Sequence, residues 1–204
     1  GVASVRKGLD NRRETANAAA PVFYAIHETL IERDPFNHGV FVPGLATEWK
    51  MIDDTTMELK LREGVTFHNG DTMDAYDVEA SLDPIIKLES PRYRNPHGKM
   101  FYNFEDVEVV DEMTVRVHTK RPDPLLETLL SVRNAGIRSL DQIADGNEDG
   151  HGLDPIGAGP YKVAEFVPGE RVVLARFDAY YGESAPFDRI TLQANTEVLT
   201  RITA

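Results

Sequence analysis

The stretch PGLATEWKMIDDTTMELKLREGVTFHNGDTMDAYDV, residues 43–78, decides how the rest of the chain is read. In its middle, Met57, Leu59 and Leu61 alternate with Glu58, Lys60 and Arg62. Successive side chains of a strand point to opposite faces, so this is the period of a half-buried β-strand. Asp53-Asp54-Thr55-Thr56 ahead of it has turn composition, and a second strand precedes the turn. Residues 45–62 are therefore expected to form a hairpin. Near the end of the stretch the period changes. Asp74 stands as N-cap to a helix over 74–82, with Ala75, Val78 and Leu82 on one face.

The same plan recurs outside this stretch. EDVEVVDEMTVRVHT, 105–119, predicts a hairpin turning at Asp111-Glu112, with Val115 and Val117 facing inward. GPYKVAEFVPGERVVLARFD, 159–178, predicts a third, turning at Pro168-Gly169 in the order that suits a type II turn. Helices are expected over 17–30, with Pro21 in the first turn, and over 123–132, with Asp123 as N-cap and Pro124 opening the helix. Pro84 is expected to end or kink the 74–82 helix, and 84–103, with three prolines and no period, reads as an excursion across the surface. GVASV at 1–5 reads as a strand and EVLTRITA at 197–204 as a helix, each interrupted, as in a processed or truncated chain. The fold class is α/β, mixed and largely antiparallel, with helices between hairpins.

Composition narrows the function. A net charge of −12 over 204 residues argues against a nucleic-acid surface, which needs clustered Lys and Arg. The absence of cysteine removes disulfides, thiolate nucleophiles and Cys-ligated zinc. No run approaches the roughly 18 apolar residues of a membrane span.

Candidate chemistry is sparse. Asp145, Asn147 and Asp149 followed by Gly150 match the first half of a calcium loop, but Ile156 stands where a bidentate Glu is required. A solvated acidic loop is the expectation. The six histidines, at 27, 38, 68, 97, 118 and 151, include no pair at helical ligand spacing. His118 is expected to face solvent, and His27 to be a packing or surface residue. No G-x-S-x-G elbow is present, and GAGPY at 157–161 lacks the third glycine or the Lys-Ser/Thr of a phosphate loop. Its Gly-Pro reads as the bend that launches the next strand. Neither an enzyme nor a cofactor or metal site is indicated.

Three segments, in order, carry a resemblance. Residues 43–78 closely resemble the signature region of the extracellular solute-binding proteins of the oligopeptide, dipeptide and nickel type: an LA-E-W strand, then an L-R-G-V-F-H-G run and a helix opening A-D-V. IGAGPYKVAEFVPGERVVLARFDAYYG, 156–182, is similar to the family's second hallmark, GTGPY, a hairpin and an aromatic pair with Gly. LDNRRETANAAAPVFYAIHETLIERD, 9–34, resembles its opening segment, with Asn11 in place of the usual Pro.

The resemblance implies the first lobe of a class II periplasmic-binding-protein-like two-lobed fold, the second lobe lying outside this chain. Residues 1–32 and 155–204 are then the ligand-binding body, discontinuous in sequence, and 33–154 a β-rich sub-domain packed on it. Arg62, His68 and Asp71 fall in that sub-domain and are expected to hold the fold. The cleft-lining loop maps to Glu14, Thr15, Ala16 and Asn17, with Arg13 beside it and Asn134 and Gly136 approaching from 133–138. The implied function is the substrate-binding component of an ABC importer, monomeric, capturing di- or oligopeptides for a membrane permease and its ATPase. The implied location is the periplasm, or the cell exterior on a lipid anchor. An opine, an oligosaccharide or a nickel chelate is the rival ligand, and a hydrolase domain with an unrecognised site the rival class.

Overall fold

The computed structural model describes residues 8–11, 19–37, 39–86, 98–144 and 152–194. In chain order the elements are α1 (Ala20–Ile26), β1 (Ile31–Arg33), β2 (Phe41–Pro43), β3 (Ala46–Met51), β4 (Thr56–Leu61) and α2 (Ala75–Ile86). They continue with β5 (Phe104–Asp111), β6 (Thr114–Thr119), α3 (Leu126–Leu130), α4 (Leu140–Ala144), β7 (Tyr161–Val167), β8 (Arg171–Arg176) and β9 (Arg189–Gln193). They form three antiparallel sheets: β1-β2, β3-β4-β6-β5 and β7-β8-β9.

The expected hairpins are present, and alternation explains their two faces. In the four-stranded sheet Leu59 pairs with Val115 and Met57 with Val117. These side chains are buried, and α2 covers them with Val78, Leu82 and Ile85 in one apolar cluster. Burial of such a face is the main source of sheet stability. The opposite face carries a row of alternating charge. Lys50 pairs with Glu58, Glu58 with Arg116, and Arg116 with Glu108, one residue per strand. Their side chains meet at 3.2, 2.9 and 3.6 Å. His118 belongs to this outer face, between Thr56 and Glu108.

A second apolar cluster joins Leu9, α1 (Val22, Phe23, Ile26) and the β7-β8-β9 sheet (Tyr161, Val172, Leu174). The β7-β8 turn is the expected one, with Glu170 N–H donating to the Val167 carbonyl at 3.0 Å and Gly169 at φ +77°.

Differences from the sequence expectations have local causes. Helix α1 stops at Ile26, not at residue 30. The carbonyls of Ile26, Glu28, Thr29 and Leu30 instead accept N–H groups from Gly159, Ile137, Leu45 and Ala46, so the chain leaves the helix at His27, whose backbone is extended. Gly157 makes this crossing possible, because a Cβ there would stand 2.1 Å from the Ile26 carbonyl oxygen. Helix α2 runs through Pro84 to Ile86; the lost N–H belongs to the final turn, and burial of Ile85 holds that turn in place. Helix α3 begins at Leu126 because Asp123 folds a turn first, its Oδ1 accepting the Leu125 N–H at 2.9 Å. The β5-β6 turn sits at Glu112-Met113, with Asp111 Oδ1 accepting the Met113 N–H. Strands β1, β2 and β9 and helix α4 were not legible in the pattern. The expected terminal strand and helix lie outside the described residues.

Candidate functional site

Four segments distant in sequence converge at the end of α1: residues 8–11, the 27–33 strip, 131–138 and 156–159. Asn11 and Asn134 fasten the first to the third. Asn11 Nδ2 donates to the Arg133 carbonyl at 2.9 Å, and Asn134 Nδ2 donates to the Asn11 carbonyl at 2.7 Å. An Asn at position 11, where the resemblance expects Pro, thus has a tethering use. It fixes the last described residue before position 12.

Beside this clasp lies a buried ion pair, Asp10 Oδ1 to Arg138 Nη1 at 3.7 Å. Arg138 is 1% exposed, and its backbone N–H and carbonyl are both engaged by the Ser81 hydroxyl. Gln142 accepts from Arg138 at 3.4 Å and from the Ile156 N–H at 2.9 Å, and donates to the Asp154 carbonyl. His27 is packed against this group. Burial, with the Arg138 charge and His68 adding to it, lowers its pKa to about 3, so the ring is neutral at physiological pH. Burial likewise takes His68 down to about 4; its Nε2 is 3.0 Å from the Gly159 carbonyl and its ring sits edge-on to Phe177.

A cavity of about 390 Å³ opens against the same strip. It is lined by Tyr24 of α1, by His27, Glu28, Thr29, Glu32 and Arg33 of the strip that follows, and by Pro35 and Ser131. Glu28 accepts hydroxyl donors on both oxygens, from Tyr180 at 2.9 Å and Tyr181 at 3.3 Å. Those rings stand 4.7 Å apart, and the Arg62 guanidinium lies 4.9 Å over Tyr181. Desolvation, and then the neighbouring Glu32 carboxyl, push Glu28 up to about 9, so it keeps its proton at neutral pH.

The residues singled out from the sequence fare unevenly. Glu14, Thr15, Ala16, Asn17 and Arg13 lie outside the described residues, as does the 145–150 acidic loop. Asn134 is buried in the clasp, and Gly136 packs on the Cβ of His27 and the Asn11 side chain. Neither lines the cavity. His27 is a packing residue, as expected. Arg62, His68 and Asp71 are tied into the fold, through the Gly44 carbonyl, the Gly159 carbonyl and the Ser139 hydroxyl. Glu28, Glu32 and the Asp10–Arg138 pair went unread, although the Tyr180-Tyr181-Gly182 aromatic pair was a signal for the Glu28 environment. Among the described residues no group of three His, Cys, Asp or Glu is placed to hold a metal, and no helix is long and apolar enough to cross a membrane.

A mixed α/β lobe of antiparallel sheets with a polar junction between two apolar clusters is the architecture of the periplasmic binding proteins. The solved structure of MoaA from A. tumefaciens R10 in complex with mannopinic acid superposes on the whole chain, with TM-score 0.88 and 27% identity, this chain covering 41% of that one. The chain belongs to the bacterial extracellular solute-binding proteins, family 5, whose model matches residues 40–204. Among curated relatives, the glutathione-binding protein GsiB of Salmonella paratyphi A is 29% identical over 77% of this chain and 30% of its own length. The HTH-type transcriptional regulator SgrR of Salmonella choleraesuis is 28% identical over 91% of this chain and, again, 30% of its own length. The chain therefore spans about 30% of the length of these relatives.

Proposed function

We propose that this chain is the first lobe of the substrate-binding component of an ABC importer, capturing di- or oligopeptides in a cleft and delivering them to a membrane permease and its ATPase. The observation that carries the peptide assignment is the likeness to a glutathione-binding protein within a family of solute binders. Two lobes closing on a ligand work by population shift: the ligand bridges both and makes the closed state dominant. Main-chain hydrogen bonds to an extended peptide give affinity without demanding one side chain.

In this reading Glu14, Thr15, Ala16 and Asn17 contact ligand, with Arg13, Asn134 and Gly136 around them. The Asn11–Asn134 clasp supports it, since it anchors Asn11, two residues before Arg13, to the 133–134 backbone and side chain. The division into a ligand-binding body, 1–32 and 155–204, and a β-rich sub-domain, 33–154, is supported by the two apolar clusters, although Leu30, Ile31 and Ala158 side with the larger one. The protein acts as a monomer, without catalysis, in the periplasm or outside the cell.

The test is mass spectrometry of what co-purifies with the protein after denaturing release. A ladder of short peptides supports the assignment. A single defined sugar acid or metal chelate overturns it in favour of a second reading, the same transport role with a non-peptide ligand, which the likeness to the mannopinic acid complex favours.

A further inference from the structure

The turn between β4 and α2 carries a chemistry that neither the fold nor the transport reading uses. It is closed by the Thr66–Thr72 bridge and by the Phe67 N–H, which donates to the Asp71 carbonyl at 2.8 Å. Asn69 and Gly70 stand exposed at its tip. No other asparagine of the chain precedes glycine. Gly70 is at φ +96°, and a Cβ placed on it would meet nothing within 4 Å, so no neighbour crowds the residue. Asn69 Oδ1 accepts the Asp71 N–H at 3.2 Å, the bond that asparagine makes to the backbone two residues on. The small ring closed by that bond contains both the Asn69 amide carbon and the Gly70 nitrogen.

We propose that Asn69 is a site of spontaneous deamidation, and that its product unfastens this turn from Ser139. The Gly70 nitrogen attacks the Asn69 amide carbon. The N–C bond forms, the C–Nδ2 bond breaks, and ammonia leaves with the proton that the Gly70 nitrogen gives up. Water then opens the five-membered imide at one carbonyl or the other, giving aspartate or isoaspartate. Asparagine is a labile residue wherever such attack is open. Every other asparagine is followed by a residue whose side chain crowds the attacking nitrogen, or by proline, which has no N–H. The step requires the Gly70 N–H to leave the Phe67 carbonyl, which it meets at 2.9 Å. A bond at an exposed turn opens locally, without global unfolding.

The amide that is lost is a donor. Asn69 Nδ2 donates to Asp71 Oδ2, and to Ser139 Oγ at 3.4 Å. Ser139 Oγ donates to the same Asp71 oxygen at 3.2 Å. Ser139 is buried and adjoins the buried Arg138. A carboxylate at position 69 has no proton to give, so two like charges meet with the single Ser139 hydroxyl proton to share. Isoaspartate also adds a methylene to the backbone inside the turn.

The site does not depend on the transport reading. The test is peptide mapping by mass spectrometry of the purified protein, stored folded at mildly alkaline pH, sampled over weeks and compared with unstored protein. Progressive conversion of residue 69 to aspartate and isoaspartate, ahead of every other asparagine, supports the proposal. A residue 69 that stays amidated, or converts no faster than the other asparagines, overturns it. The consequence is read on Asn69→Asp, whose melting temperature is expected to fall below the parent's. Adding Asp71→Asn restores a donor opposite the new carboxylate and should recover most of the loss. An Asn69→Asp variant that melts with the parent, or a loss that Asp71→Asn does not relieve, overturns the unfastening.

Discussion

On the outer face of the four-stranded sheet, Lys50, Glu58, Arg116 and Glu108 stand in a row that faces water, with Glu58 the most covered at 13% exposed. At the end of α1, Asp10, Arg138, His27 and Glu28 hold comparable chemistry away from it. The difference is one of solvent. The exposed row is made of near neighbours in strand register and is screened, so removing one member leaves the others hydrated. The buried group draws on three segments, and removing Asp10 or Arg138 takes away a charge that the other meets in a poor solvent.

The largest expected effect follows from that contrast. Arg138→Ala removes a buried guanidinium from beside Asp10 and its hydrogen bond to Gln142, and is expected to lower stability by about 3–5 kcal/mol, read as a fall in the urea midpoint. A loss no greater than that of an ordinary surface substitution would mean that water reaches the pair.

Next in size is the pH dependence. Folding depresses the pKa values of His27 and His68, to about 3 and about 4, so the unfolded chain takes up protons that the folded chain refuses. Below the ordinary histidine value, stability is lost as pH falls. Glu28 acts in the opposite direction: raised to about 9, it keeps a proton that the unfolded chain gives up, and stability is lost as pH rises. Between the ordinary glutamate and histidine values Glu28 offsets one histidine, and above that interval it acts alone. Stability should therefore peak at about pH 6.5, with flanks approaching about 1.4 kcal/mol per pH unit. Thermal melts at intervals from pH 5 to 9 check this. Stability that climbs from pH 7 to 9 would show that Glu28 is ionised at neutral pH.

The smallest effect is expected on the sheet. Arg116→Ala should leave the midpoint unchanged within error at physiological salt, despite its contacts with Glu58 and Glu108. A clear loss there would show the four charges acting as a network, and would narrow the distinction between the two regions.

The three hairpins were legible because alternation reports a local property. Each of Met57, Leu59 and Leu61 needs only its own strand to know which face it is on, and Pro168-Gly169 specifies its turn without outside help. Helix length was less legible. Nothing within NAAAPVFYAIHETL says that Ile26 is the last helical residue; that depends on N–H groups supplied by Gly159, Ile137 and the Leu45-Ala46 edge. Strand β1 was hidden for the same reason, being too short to show a period and paired only through β2.

The sequence by itself determined the mixed antiparallel class, the hairpin turns, the absence of thiol chemistry, and a resemblance that the match over residues 40–204 bears out. Only the tertiary structure decided which polar residues are buried together. Asp10 and Arg138 are 128 positions apart and Glu28 meets Tyr180 across 152. Charge and hydrogen bonding act over a few ångströms of space, whatever the distance along the chain. A pattern repeating every two or every 3.6 residues records which face of an element is buried, and it carries no record of which distant carboxyl, imidazole or guanidinium will meet there.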